Sequence, residues 1–198
     1  MGSGPRRAGP EPRGEARLKQ LLDSEQVADA VESLYRQVEA SLPAAGPDGP
    51  RVAIVGIRTR GETLARRLRE RIAAGPDGRG VEFGVLDITF YRDDLSRSRG
   101  VPLVRATEID FDVDDTWLLL VDDVMETGRS VRAALNAVHD FGRPRVVRLA
   151  VLIDRGGREV PVAADFVGTR VEVDPAMRVQ LRLKENDGQE GAFIVPKS

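Results

Sequence analysis

Residues 117–130 read Trp-Leu-Leu-Leu-Val-Asp-Asp-Val-Met-Glu-Thr-Gly-Arg-Ser, and this run narrows the fold more than any other part of the chain. Its apolar start, Trp117–Val121, has the length and character of a buried strand. The strand ends in two adjacent carboxylates, Asp122 and Asp123. A short Thr127-Gly128 turn follows, and a helix opens at Ser130 and runs to about Asp140. Strand, tight turn and helix in that order form the repeating unit of an α/β sheet. The turn exposes backbone N–H groups and a helix N-terminus, which suit a phosphate. Two carboxylates beside it suit sugar hydroxyls or a hydrated Mg²⁺.

The rest of the chain has the same rhythm. Ser24 can cap a helix running to about Ser41, with Val27, Val31, Leu34 and Val38 at helical spacing. A breaker at 43–50 leads into Val52–Ile57, continuously apolar and so a strand buried on both faces. Arg58–Gly61 forms the loop at its end, and Glu62–Ala73 is a helix with Leu64, Leu68 and Ile72 on one face. Val81–Phe90, Val146–Ile153, Phe166–Val173, Met177–Leu183 and Phe193–Val195 are strand candidates, and 91–104 reads as a mobile, charged loop. The pattern predicts a doubly wound, mainly parallel sheet with helices on both faces. Ligands gather at the carboxyl ends of such strands, so the Arg58–Gly61 and Asp122–Ser130 loops are expected to share one crevice. Residues 1–17, rich in Gly, Pro and Arg, read as a disordered tail before one domain over 18–198.

Composition excludes several chemistries. With no cysteine there is no disulfide or thiolate site, and with one histidine, His139, no His-based zinc cage. His139 falls late in the helix after the acidic turn, a helix-end position. No apolar stretch approaches the roughly 20 residues that span a bilayer, and the start lacks an apolar secretion signal. The expected location is the cytoplasm. The net charge of −2 carries no global nucleic-acid signal, although six arginines against three acids within 131–160 allow a local basic patch.

The 117–130 run resembles the phosphoribosyl-pyrophosphate (PRPP) motif of type I phosphoribosyltransferases. Further segments resemble the PyrR family, which combines uracil phosphoribosyltransferase activity with regulation of pyrimidine genes. They are Val55–Gly61, Leu86-Asp-Ile-Thr-Phe-Tyr-Arg-Asp-Asp-Leu95, Leu119–Arg132, Phe141–Pro144, Leu149–Gly156, Arg158–Pro161 and Ala164–Gly168. The resemblance implies a small hood beside the sheet, a flexible loop over the site, Mg²⁺ as cofactor and a homodimer or larger homo-oligomer. It implies that Asp122 and Asp123 hold the ribose hydroxyls, and Mg²⁺ indirectly through ribose or water. The amides and hydroxyls of Met125, Glu126, Thr127, Gly128, Arg129 and Ser130 would then cradle the 5′-phosphate, with Val124 also binding substrate. Thr59, Arg60 and Gly61 would take pyrophosphate, and Arg92 would swing over it. Arg155, Phe166, Val167 and Val179 would bound the base. The expected ligands are PRPP, uracil, UMP and pyrophosphate.

Two departures bear on function. Glu126 stands where PyrR proteins usually carry Tyr or another bulky residue. An acid at this place marks 6-oxopurine enzymes, where it serves in proton transfer, and this makes Glu126 a catalytic candidate with Asp122, Asp123 and Arg92. Against a purine enzyme stands Asp154, where those proteins place lysine. The second departure concerns leader RNA, for which Thr59, Arg60 and Arg158 are the candidate contacts. Gly157, Ala163 and Thr169 replace His, a basic residue and Lys, and the helix at 24–41 carries four acids and one arginine. The expectation is a uracil phosphoribosyltransferase with weakened or lost RNA attenuation. The alternatives are a UMP- or PRPP-sensing RNA-binding regulator and a purine phosphoribosyltransferase.

Overall fold

The computed structural model describes residues 18–46, 49–75, 79–91 and 106–197. The expected tail, Arg92 and, Tyr91 aside, the 91–104 loop lie outside them. The elements run β1 (Lys19–Leu22), α1 (Ser24–Ser41), β2 (Val52–Ile57), α2 (Arg60–Ala73), β3 (Glu82–Leu86), a 3₁₀ turn (Thr89–Tyr91), β4 (Trp117–Met125) and α3 (Arg129–Val138). They continue with β5 (Val146–Asp154), β6 (Phe166–Arg170), β7 (Met177–Arg182), α4 (Lys184–Asp187) and β8 (Gly191–Pro196).

Five strands form a parallel sheet in the order β3-β2-β4-β5-β6, as the alternation of strands and helices requires. Its central strands are apolar on both sides because both sides are covered. Ile54, Leu119, Val121 and Leu152 join α1 and α2 in one core. Ala53, Val55, Leu118, Leu120 and Val151 join α3 in the other. β1, β8 and β7 form a small antiparallel sheet, the expected hood. Val179, Leu181, Leu183 and Ala192 anchor it in the core shared with α1 and α2.

Several boundaries differ from the sequence reading; α2, for one, already begins at Arg60. The cap of α1 is Asp23, whose side chain accepts the Gln26 N–H while the Gln26 side chain accepts the Asp23 N–H, a reciprocal capping box. Ser24 is the first helical residue. β3 stops at Leu86, and Thr89–Tyr91 form a 3₁₀ turn. β4 runs on through Asp122 and Asp123 to Met125, because β5 continues alongside and pairs Val124 with Ile153 and Met125 with Asp154.

Candidate active site

The acid pair lies at the carboxyl end of the central strand, where β4 runs into the turn before α3. Asp122 is 7% exposed, and its Oδ1 accepts the Asp123 N–H at 2.9 Å. Asp123 Oδ1 in turn accepts the Val124 N–H at 2.9 Å. Burial pushes the Asp123 carboxyl above its ordinary range, opposed by the Val124 N–H, the neighbouring Asp122 and the positive charge of Arg60.

The turn beyond is built on Gly128, the residue before α3. Its φ of 84° is one that side-chain-bearing residues rarely adopt, and a Cβ there would stand 2.4 Å from Val162 Cγ2. No side chain caps α3 at Gly128, and within the turn Thr127 Oγ1 accepts the Arg129 N–H at 3.3 Å. An uncapped helix start of this kind attracts an anion. After the neighbouring strand β2, Gly61 in the first turn of α2 lets that helix begin directly against β4: a Cβ there would lie 2.5 Å from the Val121 carbonyl oxygen. The Arg58–Thr59 peptide before it is cis.

Two cavities open on either side of the acids and share Asp122, Asp123, Val124 and Ser130. One, of about 350 Å³, is lined by Arg58, Thr59, Asp87 and Thr89. The other, of about 360 Å³, is lined by Glu126, Thr127, Gly128, Arg178 and Val179. The two loops expected to meet do share this crevice.

Several expected site residues are placed otherwise. Arg60 turns to α4, where Nε and Nη2 bind the two oxygens of Asp187 at 3.0 and 2.6 Å. Gly61 is buried against β4. Phe166 and Val167 are core residues, one on each face of the sheet, and line neither cavity. Met125, 1% exposed, belongs to the core and also lines the second cavity as expected. Arg155 is buried beside Glu126 and is not on the cavity wall. Arg129 faces Glu159 at 2.7 Å. Of the base-pocket residues, Val179 alone lines the cavity, together with Arg178, which the sequence reading missed. Alternation along β7 gave no sign that this arginine would meet the acidic turn of a strand 50 residues earlier.

Glu126 is ion-paired. Its Oε1 meets the Arg155 guanidinium and lies 2.5 Å from Lys197 Nζ. Burial alone would raise its carboxyl, but Lys197 and Arg155 outweigh that and hold it below the ordinary range. Asp154 pairs with Arg158 at 2.7 Å and accepts the Gly156 N–H at 2.9 Å. Burial opposes its ionisation, and those two donors prevail to lower it.

The expected basic patch is largely neutralised. Arg145 approaches Asp115 at 3.9 Å, Arg148 pairs with Asp165 at 2.7 Å, and Arg158 takes Asp154. His139 is exposed at the C-cap of α3, with Nδ1 2.6 Å from the Leu135 carbonyl oxygen. Among the described residues no group of three or more His, Cys, Asp or Glu side chains is placed to hold a metal. No helix there is long and apolar enough to cross a membrane.

Comparison with known proteins defines the class. The family model for the phosphoribosyl transferase domain matches residues 17–185. The parallel sheet has the same fold as a hypoxanthine-guanine phosphoribosyltransferase of Bacillus anthracis, with a TM-score of 0.65, 16% identity and coverage of 89% of this chain and 98% of that one. A hypoxanthine phosphoribosyltransferase of Trypanosoma cruzi matches with a TM-score of 0.63 and 14% identity, covering 91% of this chain and 97% of that one. Sequence narrows this further. The chain is 45% identical over 176 residues to the bifunctional protein PyrR of Mycolicibacterium paratuberculosis, covering 89% of this chain and 92% of that protein. It is 47% identical to the bifunctional protein PyrR of Roseiflexus, covering 89% of this chain and 94% of that protein. The chain belongs to the PyrR family of phosphoribosyltransferases.

Proposed function

We propose that this protein transfers the phosphoribosyl group of PRPP to uracil, giving UMP and pyrophosphate, in the cytoplasm and as a homodimer or larger homo-oligomer. The observation that carries this reading is the pair of cavities joined at Asp122 and Asp123. A diol-binding acid pair between an anion-binding compartment and a base-sized one matches a molecule with pyrophosphate on one side of ribose and an incoming base on the other.

Thr59 and Arg58 line the pyrophosphate compartment, and Thr127, Gly128 and Ser130 supply the cradle for the 5′-phosphate. Asp122 and Asp123 grip the ribose hydroxyls, which fixes the sugar while the bond at C1′ breaks. Positive charge develops on the ring as pyrophosphate departs, and two carboxylates beneath it stabilise that charge. Asp122 and Asp123 are the residues that would hold a hydrated Mg²⁺, indirectly through ribose or water, and the ion would neutralise charge on the pyrophosphate.

The RNA reading is weaker. Arg60 is committed to Asp187 and Arg158 to Asp154, while α1 presents four acids and one arginine. Each lost phosphate contact removes about one released counterion from the affinity. Binding to a pyrimidine-operon leader, followed by filter retention with and without UMP, is expected to be absent or weak; submicromolar binding strengthened by UMP would overturn this.

A base panel of uracil, hypoxanthine, guanine, adenine and orotate, each with PRPP and Mg²⁺, tests the enzyme. Pyrophosphate release with uracil alone is expected. Turnover with a purine would make this a purine enzyme, and silence across the panel would make it a ligand-sensing regulator.

A further inference from the structure

The base-side cavity carries a negative charge that phosphoribosyl transfer to uracil does not by itself explain. Glu126 lines that cavity together with Asp122, Asp123, Arg178 and Val179. It is pinned through both main chain and side chain. Arg158 Nη1 donates to its carbonyl oxygen at 2.6 Å. Its carboxylate is the meeting point of Arg155, whose side chain is 3% exposed, and Lys197, near the C-terminal end of β8. Arg155 is fixed in turn, its Nη2 donating to the carbonyls of Val173 and Asp174 at 3.2 and 3.3 Å and its backbone N–H to Met125 at 3.1 Å.

Both cations make their closest approach to the same oxygen, Oε1. The carboxylate is thus held from the protein side at a cavity wall, and its two oxygens have acceptor capacity beyond these two ion pairs. Two cations on one oxygen also make Glu126 a poor proton donor, so it meets a ligand as an acceptor.

We propose that Glu126 is the specificity-determining residue of the base compartment: its ionised carboxylate accepts a ring N–H from the incoming base. Between uracil and cytosine, the site then takes the base carrying an imide N3–H and refuses the one with a lone pair at that place. This rests on the phosphoribosyl-transfer reading and deepens it. Uracil offers N3–H, whereas cytosine would set its N3 lone pair against a carboxylate. A site built to accept an N–H penalises a ligand lacking it twice, through the lost bond and through a buried acceptor facing an acceptor.

The test compares kcat/KM for uracil, cytosine and 3-methyluracil in the unaltered protein and in Glu126→Gln and Glu126→Ala. Calorimetric binding of UMP, CMP and 3-methyl-UMP runs alongside. The unaltered protein is expected to favour uracil over both analogues by at least about 100-fold. Glu126→Gln should narrow the uracil-to-cytosine ratio ten-fold or more, since an amide can turn its NH₂ toward cytosine N3. A general loss of activity at an unchanged ratio would mean a purely structural residue and would overturn the proposal. Should Glu126→Ala fail to fold with Arg155 left unpaired, the nucleotide titrations on the unaltered protein still decide: equal affinity for UMP and 3-methyl-UMP overturns the idea. Failure of the unaltered protein to convert uracil at all, with a purine converted instead, would overturn the uracil reading itself.

Discussion

At the residue scale, the charges around the acid pair are arranged in competition. Arg60 is bound by Asp187 through its Nε and Nη2, and the same positive charge opposes the burial of Asp123. For Arg60 to meet pyrophosphate it has to exchange one anion for another. Asp187→Asn keeps the acceptor for the Leu183 N–H, now made at 2.9 Å, but removes the competing charge. It should lower KM for PRPP by about three- to ten-fold in initial-rate assays. An unchanged or higher KM would mean that Asp187 positions Arg60 rather than competing for it. The acid pair gives a companion prediction. Asp123→Asn should keep the fold, as judged by an unchanged melting curve, and cost about ten-fold or more in kcat/KM for PRPP. Full activity would show that the ribose is gripped elsewhere.

At the element scale, two local devices set how the helices approach the sheet. The Asp23–Gln26 capping box starts α1, and Asp23→Ala should cost about 1 kcal/mol, or about 2–4 °C in Tm by differential scanning calorimetry. Gly61→Ala is of another kind, because its Cβ would meet the backbone oxygen of Val121 and no side-chain rotation relieves that. It should push the start of α2 off β4, losing most PRPP turnover along with several degrees of Tm; a fully active variant would show that the approach is not needed. The sequence reading succeeded where the information is local. The apolar runs of β2 and β4, the acid pair and the Gly128 turn announce themselves within ten residues. It missed β1 and α4, which are four residues each. β1 exists because β8, about 170 residues later, offers it an edge, and nothing in Lys-Gln-Leu-Leu records that. The partners of Arg60 and Arg155 were out of reach for the same reason. A motif shows that an arginine is present, but the carboxylate that claims it arrives through tertiary packing. Phe166, expected at the base, lies instead in the core it shares with residues of α1 and β5.

At the scale of the whole molecule, the hood is fastened to the parallel sheet by apolar contacts below and charge above, and the charged part is sensitive to acid. Arg67 binds both Glu185 and Glu190, Arg60 binds Asp187, and the Thr63 hydroxyl donates to Asn186 at 2.7 Å. The arginine partners hold Glu185 and Asp187 below the ordinary carboxylate range. A depressed folded pKa gives stability that is complete above the unfolded value, near about 4, and lost as pH falls through the folded value. Asp123 has the opposite sign, since burial raises it and protonation relieves the folded state; it is one group against several. Net stability should therefore hold from neutral pH to about 5 and fall below about 4.5. The loss should also have a place. Amide exchange at pH 4 should speed up first in α4 and in β7 and β8, while β4 and β5, buried on both faces, stay protected. At neutral pH, 1 M salt should cost little, because most of these carboxylates remain partly exposed and such pairs contribute modestly. Uniform loss of protection across both sheets would mean that the hood and the sheet unfold as one unit and that Leu181, Leu183 and Ala192, rather than the arginines, hold them together.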